Sequence, residues 1–163
     1  MKLKPLEQWI CDGCGEVIEK PEDGWFEWLT DIDDCRTVYG FRIVHHATKS
    51  PYSKNGRYCQ AYLRESGCSD MHLDYLLEGN NSIVKMLSLL DPGPYHEPTF
   101  KGIRPKDIRE WIEVFRRLHI PYYEEARQYW DMAISEGMFS GANEVYIYCQ
   151  ENLKEIINEF SNC

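Results

Sequence analysis

Two cysteines separated by two residues and followed by glycine, Cys11-Asp12-Gly13-Cys14-Gly15, constrain this chain more than any other stretch. The spacing closes a tight turn that holds both thiols together. Glycine after the second cysteine relieves crowding, so that backbone N–H groups can turn toward the sulfurs. Two thiolates arranged in this way supply half of a tetrahedral zinc site. The other half has to come from further along the chain. Cys59 is the third expected ligand, and His45 or His46 the fourth. If residues 41–46 are extended, their side chains alternate and only one histidine of the pair can face a metal. Phe41, Ile43 and His45 then share one face, and Arg42, Val44 and His46 the other. Cys68 and His72, spaced C-x3-H, form a competing pair, and Cys35 is a spare thiol. The expected site is therefore Cys11, Cys14, His45 and Cys59 around a structural zinc, with no place for an activated water.

The seven cysteines are odd in number and unevenly spaced, which argues against a secreted disulfide framework. A thioredoxin-like redox dithiol would open a helix behind a buried strand, whereas this CxxC opens a loop. Up to about residue 60 the chain resembles zinc-ribbon and zinc-knuckle modules, on the residues Cys11, Cys14, Gly15, His45 or His46, and Cys59. A typical ribbon supplies a second CxxC, which this chain lacks. The resemblance implies a small β-rich module stapled by zinc, of a kind found in nucleic-acid-associated and adaptor proteins. The order His45-His46, Asn55, His72 is also similar to that of the His-Me finger nucleases. That resemblance implies a strand-end histidine as general base and a metal-binding histidine on a later helix.

Charge is distributed in blocks. The net charge is −9, against a general basic coat for nucleic acid. Residues 7–34 hold ten acids and one base, while residues 35–64 hold six bases and no acid. The two arms are expected to pair as adjacent strands and neutralise one another. The alternative is a basic face, with Arg42, Lys49, Lys54 and Arg57 as contacts for a phosphate-bearing or acidic partner.

The periodicities predict an α+β protein: a zinc-stapled β-rich part over residues 1–66 and a helical part over 67–163, sharing one core. Strands are expected at Gly24–Thr30 and Thr37–His45, joined by the acidic link 31–34. Tyr58 to Leu63 reads as a third strand or a helix start. Helices are expected near 69–78, 82–90, 105–118, 121–136 and 150–160, with Pro105 and Pro121 in first turns. Val145 to Tyr148 favours a strand. The pair 105–118 and 121–136 invites a helix-turn-helix reading, with Arg104, Lys106, Arg109, Arg116 and Arg117 on phosphates. Its second helix, carrying Glu124, Glu125, Asp131 and Glu136 against Arg127, would repel DNA, so a core-forming helical hairpin is expected instead.

No P-loop, dinucleotide fingerprint, nucleophile elbow or HExxH stands in the sequence, and no catalytic residue or small-molecule substrate is indicated. The first residues carry no apolar run of a signal peptide, and the stretch Ile83 to Leu90 is too short to span a bilayer. A reducing cytoplasm and no membrane are the expectation. Together these readings favour a non-catalytic regulatory or adaptor protein that binds a macromolecular partner, protein or nucleic acid. The alternative is a metal-dependent nuclease centred on His45 and His46.

Overall fold

The computed structural model describes residues 2–55, 58–60, 67–94, 101–141 and 144–161. Trp9–Ile10 (β1) and Val17–Ile18 (β2) pair antiparallel on either side of the cysteine turn. Gly24–Thr30 (β3) and Thr37–His45 (β4) form the expected hairpin, with a register shift between Glu27 and Leu29. Cys68–His72 (β5) adds antiparallel to the other edge of β3, and Arg104–Pro105 (β6) adds parallel to β4. The larger sheet thus runs β5-β3-β4-β6. Helices follow: Leu73–Leu76 (α1), Ser82–Leu90 (α2), Ile108–His119 (α3), Tyr123–Ala126 (α4), Trp130–Ser135 (α5), Glu144–Ile147 (α6) and Gln150–Phe160 (α7).

Several expected elements come out differently, each for a tertiary reason. Residues 68–72 are a strand rather than the start of a helix, because β3 offers them an open edge. Leu73 and Leu76 still face inward, from the short helix that follows. Asp107, not Pro105, sets the start of α3: its carboxylate accepts the Arg109 N–H at 2.9 Å, while Pro105 lies in β6 beside Val38. The stripe read as Ile108, Trp111, Ile112, Phe115 and Leu118 is rotated, so that Trp111, Val114, Arg117 and Leu118 are buried and Ile108 is half exposed. The expected helix 121–136 is split into α4, a 3-10 turn at Arg127–Tyr129, and α5. Residues 144–147 are helical, not extended. Of the segment Tyr58 to Leu63, only residues 58–60 are described, and they lie outside any strand or helix.

The apolar side chains gather into two clusters. The first takes residues from both sides of position 66: Trp9, Ile18, Phe26, Trp28, Phe41 and Ile43 meet Leu73, Met86, Trp111 and Leu118. Phe26 stacks on Phe41 at 5.7 Å between centroids, and Trp111 meets Phe41 edge-on at 5.3 Å, which seats α3 on the sheet. The second cluster, Tyr123, Ala126, Tyr129, Ala133, Leu153, Ile156 and Phe160, is wholly helical. The opposite face of the sheet carries a buried charge. Glu27 there is fully buried and pairs across the hairpin with Arg42, which joins the acidic and basic arms at one point. Among the described residues, no helix is long and apolar enough to cross a membrane.

Candidate metal centre

The turn between β1 and β2 is held by two backbone bonds, from the Cys11 N–H to the Glu16 carbonyl (2.9 Å) and from the Gly15 N–H to the Cys11 carbonyl (2.8 Å). Gly15 sits at φ +77°, a conformation that side-chain-bearing residues rarely adopt. Gly13 leaves room for the chain around Cys59: a Cβ there would lie 3.0 Å from the Cys59 carbonyl oxygen and 3.1 Å from its Cβ. The turn then docks on the β4 edge. The Asp12 N–H donates to the Ile43 carbonyl (2.8 Å), and the Asp12 carboxylate accepts the Ile43 N–H (2.7 Å).

That docking brings the turn to the end of β4, where His45 emerges. Cys11, Cys14, His45 and Cys59 meet there with their donor atoms all within 4.8 Å of one another. His45 Nδ1 stands 3.4 Å from the Cys14 sulfur and 3.8 Å from the Cys59 sulfur. A tetrahedral zinc, with Zn–S of about 2.3 Å and Zn–N of about 2.0 Å, sets such S···N edges near ~3.5 Å. The donor set fits that ion. His45 is held for the task, because its Nε2 donates to the Val17 carbonyl at 3.1 Å and leaves Nδ1 toward the sulfurs. The Gly13 and His45 N–H groups each approach the Cys11 sulfur at 3.4 Å, and the Ser50 hydroxyl lies 3.1 Å from the Cys59 sulfur. These contacts suit thiolates.

Burial and mutual hydrogen bonds shift the titration of all four groups. Burial alone would push the Cys11 thiol up, but the hydrogen bonds from the His45 ring and from the His45 and Gly13 N–H groups bring it down to about 6. Burial, joined by the Cys11 charge, pushes Cys14 up to about 12. Cys59 is raised by burial too, although the Ser50 hydroxyl works against it. His45 is raised: burial disfavours its cation, yet the Cys11 thiolate outweighs burial. A divalent cation at the centre would replace the protons of these groups as counter-charge, so its binding releases protons.

His46 points away, as alternation requires. Its ring stacks on Trp25 at 5.4 Å, and its Nδ1 accepts the Thr48 N–H. The competing pair Cys68 and His72 lies on β5 outside the cluster, with His72 stacked on Trp25 at 4.0 Å. Cys35 is exposed. Of the residues expected to meet a partner, Arg42 is engaged internally by Glu27 and by the Cys59 carbonyl at 3.2 Å. Lys49 is half exposed and lies 3.4 Å from Asp23, and Lys54 is exposed. Arg57 lies outside the described residues.

Sequence reasoning missed the groups behind the cluster. Arg117, a phosphate contact only in the helix-turn-helix alternative, is 3% exposed and reaches the cysteine turn. It donates to Asp12 (2.7 Å), to Glu124 (2.7 and 3.0 Å) and to the Ile10 carbonyl (2.9 Å). Glu124 in turn accepts the Ile10 N–H at 2.8 Å, and Arg127 reaches both Glu124 and Asp12. Charged groups this deep persist only when paired and hydrogen-bonded. The available signal was position: Arg117 stands three residues after Val114, on the stripe that α3 turns inward. Comparison with known protein families, with curated proteins and with solved structures finds no match to this chain.

Proposed function

We propose that Cys11, Cys14, His45 and Cys59 hold one structural zinc ion, and that the protein is a non-catalytic adaptor or regulator that meets a macromolecular partner. The observation that carries this reading is the convergence of four soft donors, three of them buried, at a point fixed by the β1–β2 turn and the end of β4. Sulfur with one imidazole is the donor set that zinc favours, and a closed tetrahedron leaves no position for a reactive water. The nuclease alternative asks His45 for a free imidazole nitrogen. Its Nδ1 faces the sulfurs and its Nε2 is bonded to Val17, so that reading would have to rest on His46.

Metal analysis of the purified chain by plasma mass spectrometry is expected to return about one zinc per chain. Cys14→Ser and Cys59→Ser are each expected to bring it toward zero, while His46→Ala leaves it unchanged. A wild-type content near zero overturns the metal reading. The partner class is tested separately through the basic segment. A salt-sensitive shift of duplex DNA, lost in a Lys54→Glu/Arg57→Glu variant, would assign nucleic acid as the partner. No shift at low salt removes duplex DNA as the partner.

A further inference from the structure

A surface outside the cysteine–histidine cluster has the opposite character to the basic segment. Residues 130–163 hold six acids and one base, Lys154, whose ammonium lies 4.7 Å from the Tyr122 ring centre. In this acidic stretch α5 and α7 leave a groove of about 590 Å³ between them. Its floor is Met132, Met138 and Phe160, and its rim carries Glu136, Glu155 and Glu159. The rim glutamates are all exposed, whereas Phe160 belongs to the buried cluster beneath. A second hollow of about 190 Å³ shares Met138 and Glu155 and continues the groove past Phe139 to the half-exposed Tyr146.

We propose that this groove docks a basic amphipathic segment of a partner protein, with apolar side chains on the floor and lysine or arginine heads on the glutamate rim. Charge decides the sign of the occupant. Three exposed carboxylates around an apolar floor repel phosphate backbones and acidic peptides and attract cations. The floor decides its amphipathicity. Lysine and arginine stems lie well over apolar surface while their heads stay at the rim, and leucine-like anchors fill the centre. Methionine suits such a floor because its unbranched side chain adapts to different anchors. The pair Glu155 and Glu159, one helical turn apart on α7, presents its charges in one row, as Leu153 and Ile156 face the other way into the core. This surface is separate from the metal centre and stands or falls without it.

The test uses the full chain, loaded with zinc, and a fluorescein-labelled peptide of Lys and Leu at amphipathic helical spacing, read by fluorescence anisotropy. Binding is expected for wild type, weaker by at least about tenfold in Glu155→Lys/Glu159→Lys, and weaker by a few-fold in Met132→Ser. Both Glu positions are exposed, and an unchanged far-UV spectrum confirms folding. A Glu/Leu peptide of the same pattern and a Lys/Ser peptide without the apolar face are expected not to bind. Absence of Lys/Leu binding overturns the proposal, as does equal binding by the charge-reversed variant. Equal binding of the Lys/Ser peptide does so too, because the floor would then play no part. Self-association of wild type that the charge reversal abolishes would hand the groove to a second copy of the chain and likewise overturn it.

Discussion

The two apolar clusters of this protein are built on opposite plans. The first assembles residues from Trp9 to Leu118, on two small sheets and several helices, and has the thiol cluster at its margin. The second takes all its residues from positions 123–160, all in helices or the turns between them, with no metal-ligating group. Long-range closure costs chain entropy before any contact repays it, and two-residue strands such as β1 and β2 return little by themselves. A metal held by Cys11, Cys14, His45 and Cys59 would relieve that difficulty where it is greatest. The second cluster packs neighbours in sequence and has no such need. The Arg117 network is where the two plans meet, since it ties the cysteine turn to α3 and α4.

The largest effect that separates the two regions should come from removing the metal. Chelation, or Cys59→Ser, is expected to cost on the order of 10 kcal/mol in the first region. Amide hydrogen exchange checks it: protection should vanish across β1, β2 and β4 and persist in α7. Equal loss in both regions would break the comparison. Next comes the junction. Arg117→Met leaves Glu124 and Asp12 with Arg127 as their counter-charge and strips the buried partner from both, at a cost of about 3 kcal/mol by denaturant titration. The double variant Arg117→Met/Glu124→Leu should recover much of that loss. A single variant as stable as wild type would show that the two regions do not depend on this link. Within the second region, Leu153→Ala should cost about 3 kcal/mol and leave zinc content untouched. A fall in zinc content would mean that the second cluster supports the metal centre more closely than its composition suggests.

The smallest effect is set by pH at His119. Burial lowers its basicity below the ordinary 6.5, only partly offset by its contact with the Phe115 carbonyl, and its Nε2 lies 2.8 Å from the Ser82 hydroxyl. The neutral ring is therefore the folded form. Its contribution is full above pH 6.5 and is lost as pH falls through the lowered folded value. Thermal melts of His119→Gln should show a flatter acid limb than wild type, and an identical limb would remove His119 from the account.

Much of the site was legible because it is written locally. The CxxCG turn depends on five adjacent residues, and strand alternation alone says that only one of His45 and His46 can face a metal. The β3–β4 hairpin and the helices at 82–90 and 150–160 were equally readable from their periods. What failed was whatever depended on a distant neighbour. Residues 68–72 look helical until the open edge of β3 is known, and residues 144–147 have strand propensity in a helical setting. Arg117 looked like a surface cation because nothing near it in sequence announces Asp12, 105 residues away.

The sequence by itself thus determined that two thiols form a half-site, that only one of two adjacent histidines can join it, and that the protein is α+β. Only the tertiary structure decided that Cys59 completes the set in preference to Cys68 and His72. It alone placed a buried arginine behind the turn and left an acid-rimmed groove on the far helices. The physical reason is range. Turn closure and strand alternation act over a few bonds, whereas donor convergence and charge burial depend on which segments the whole chain folds together.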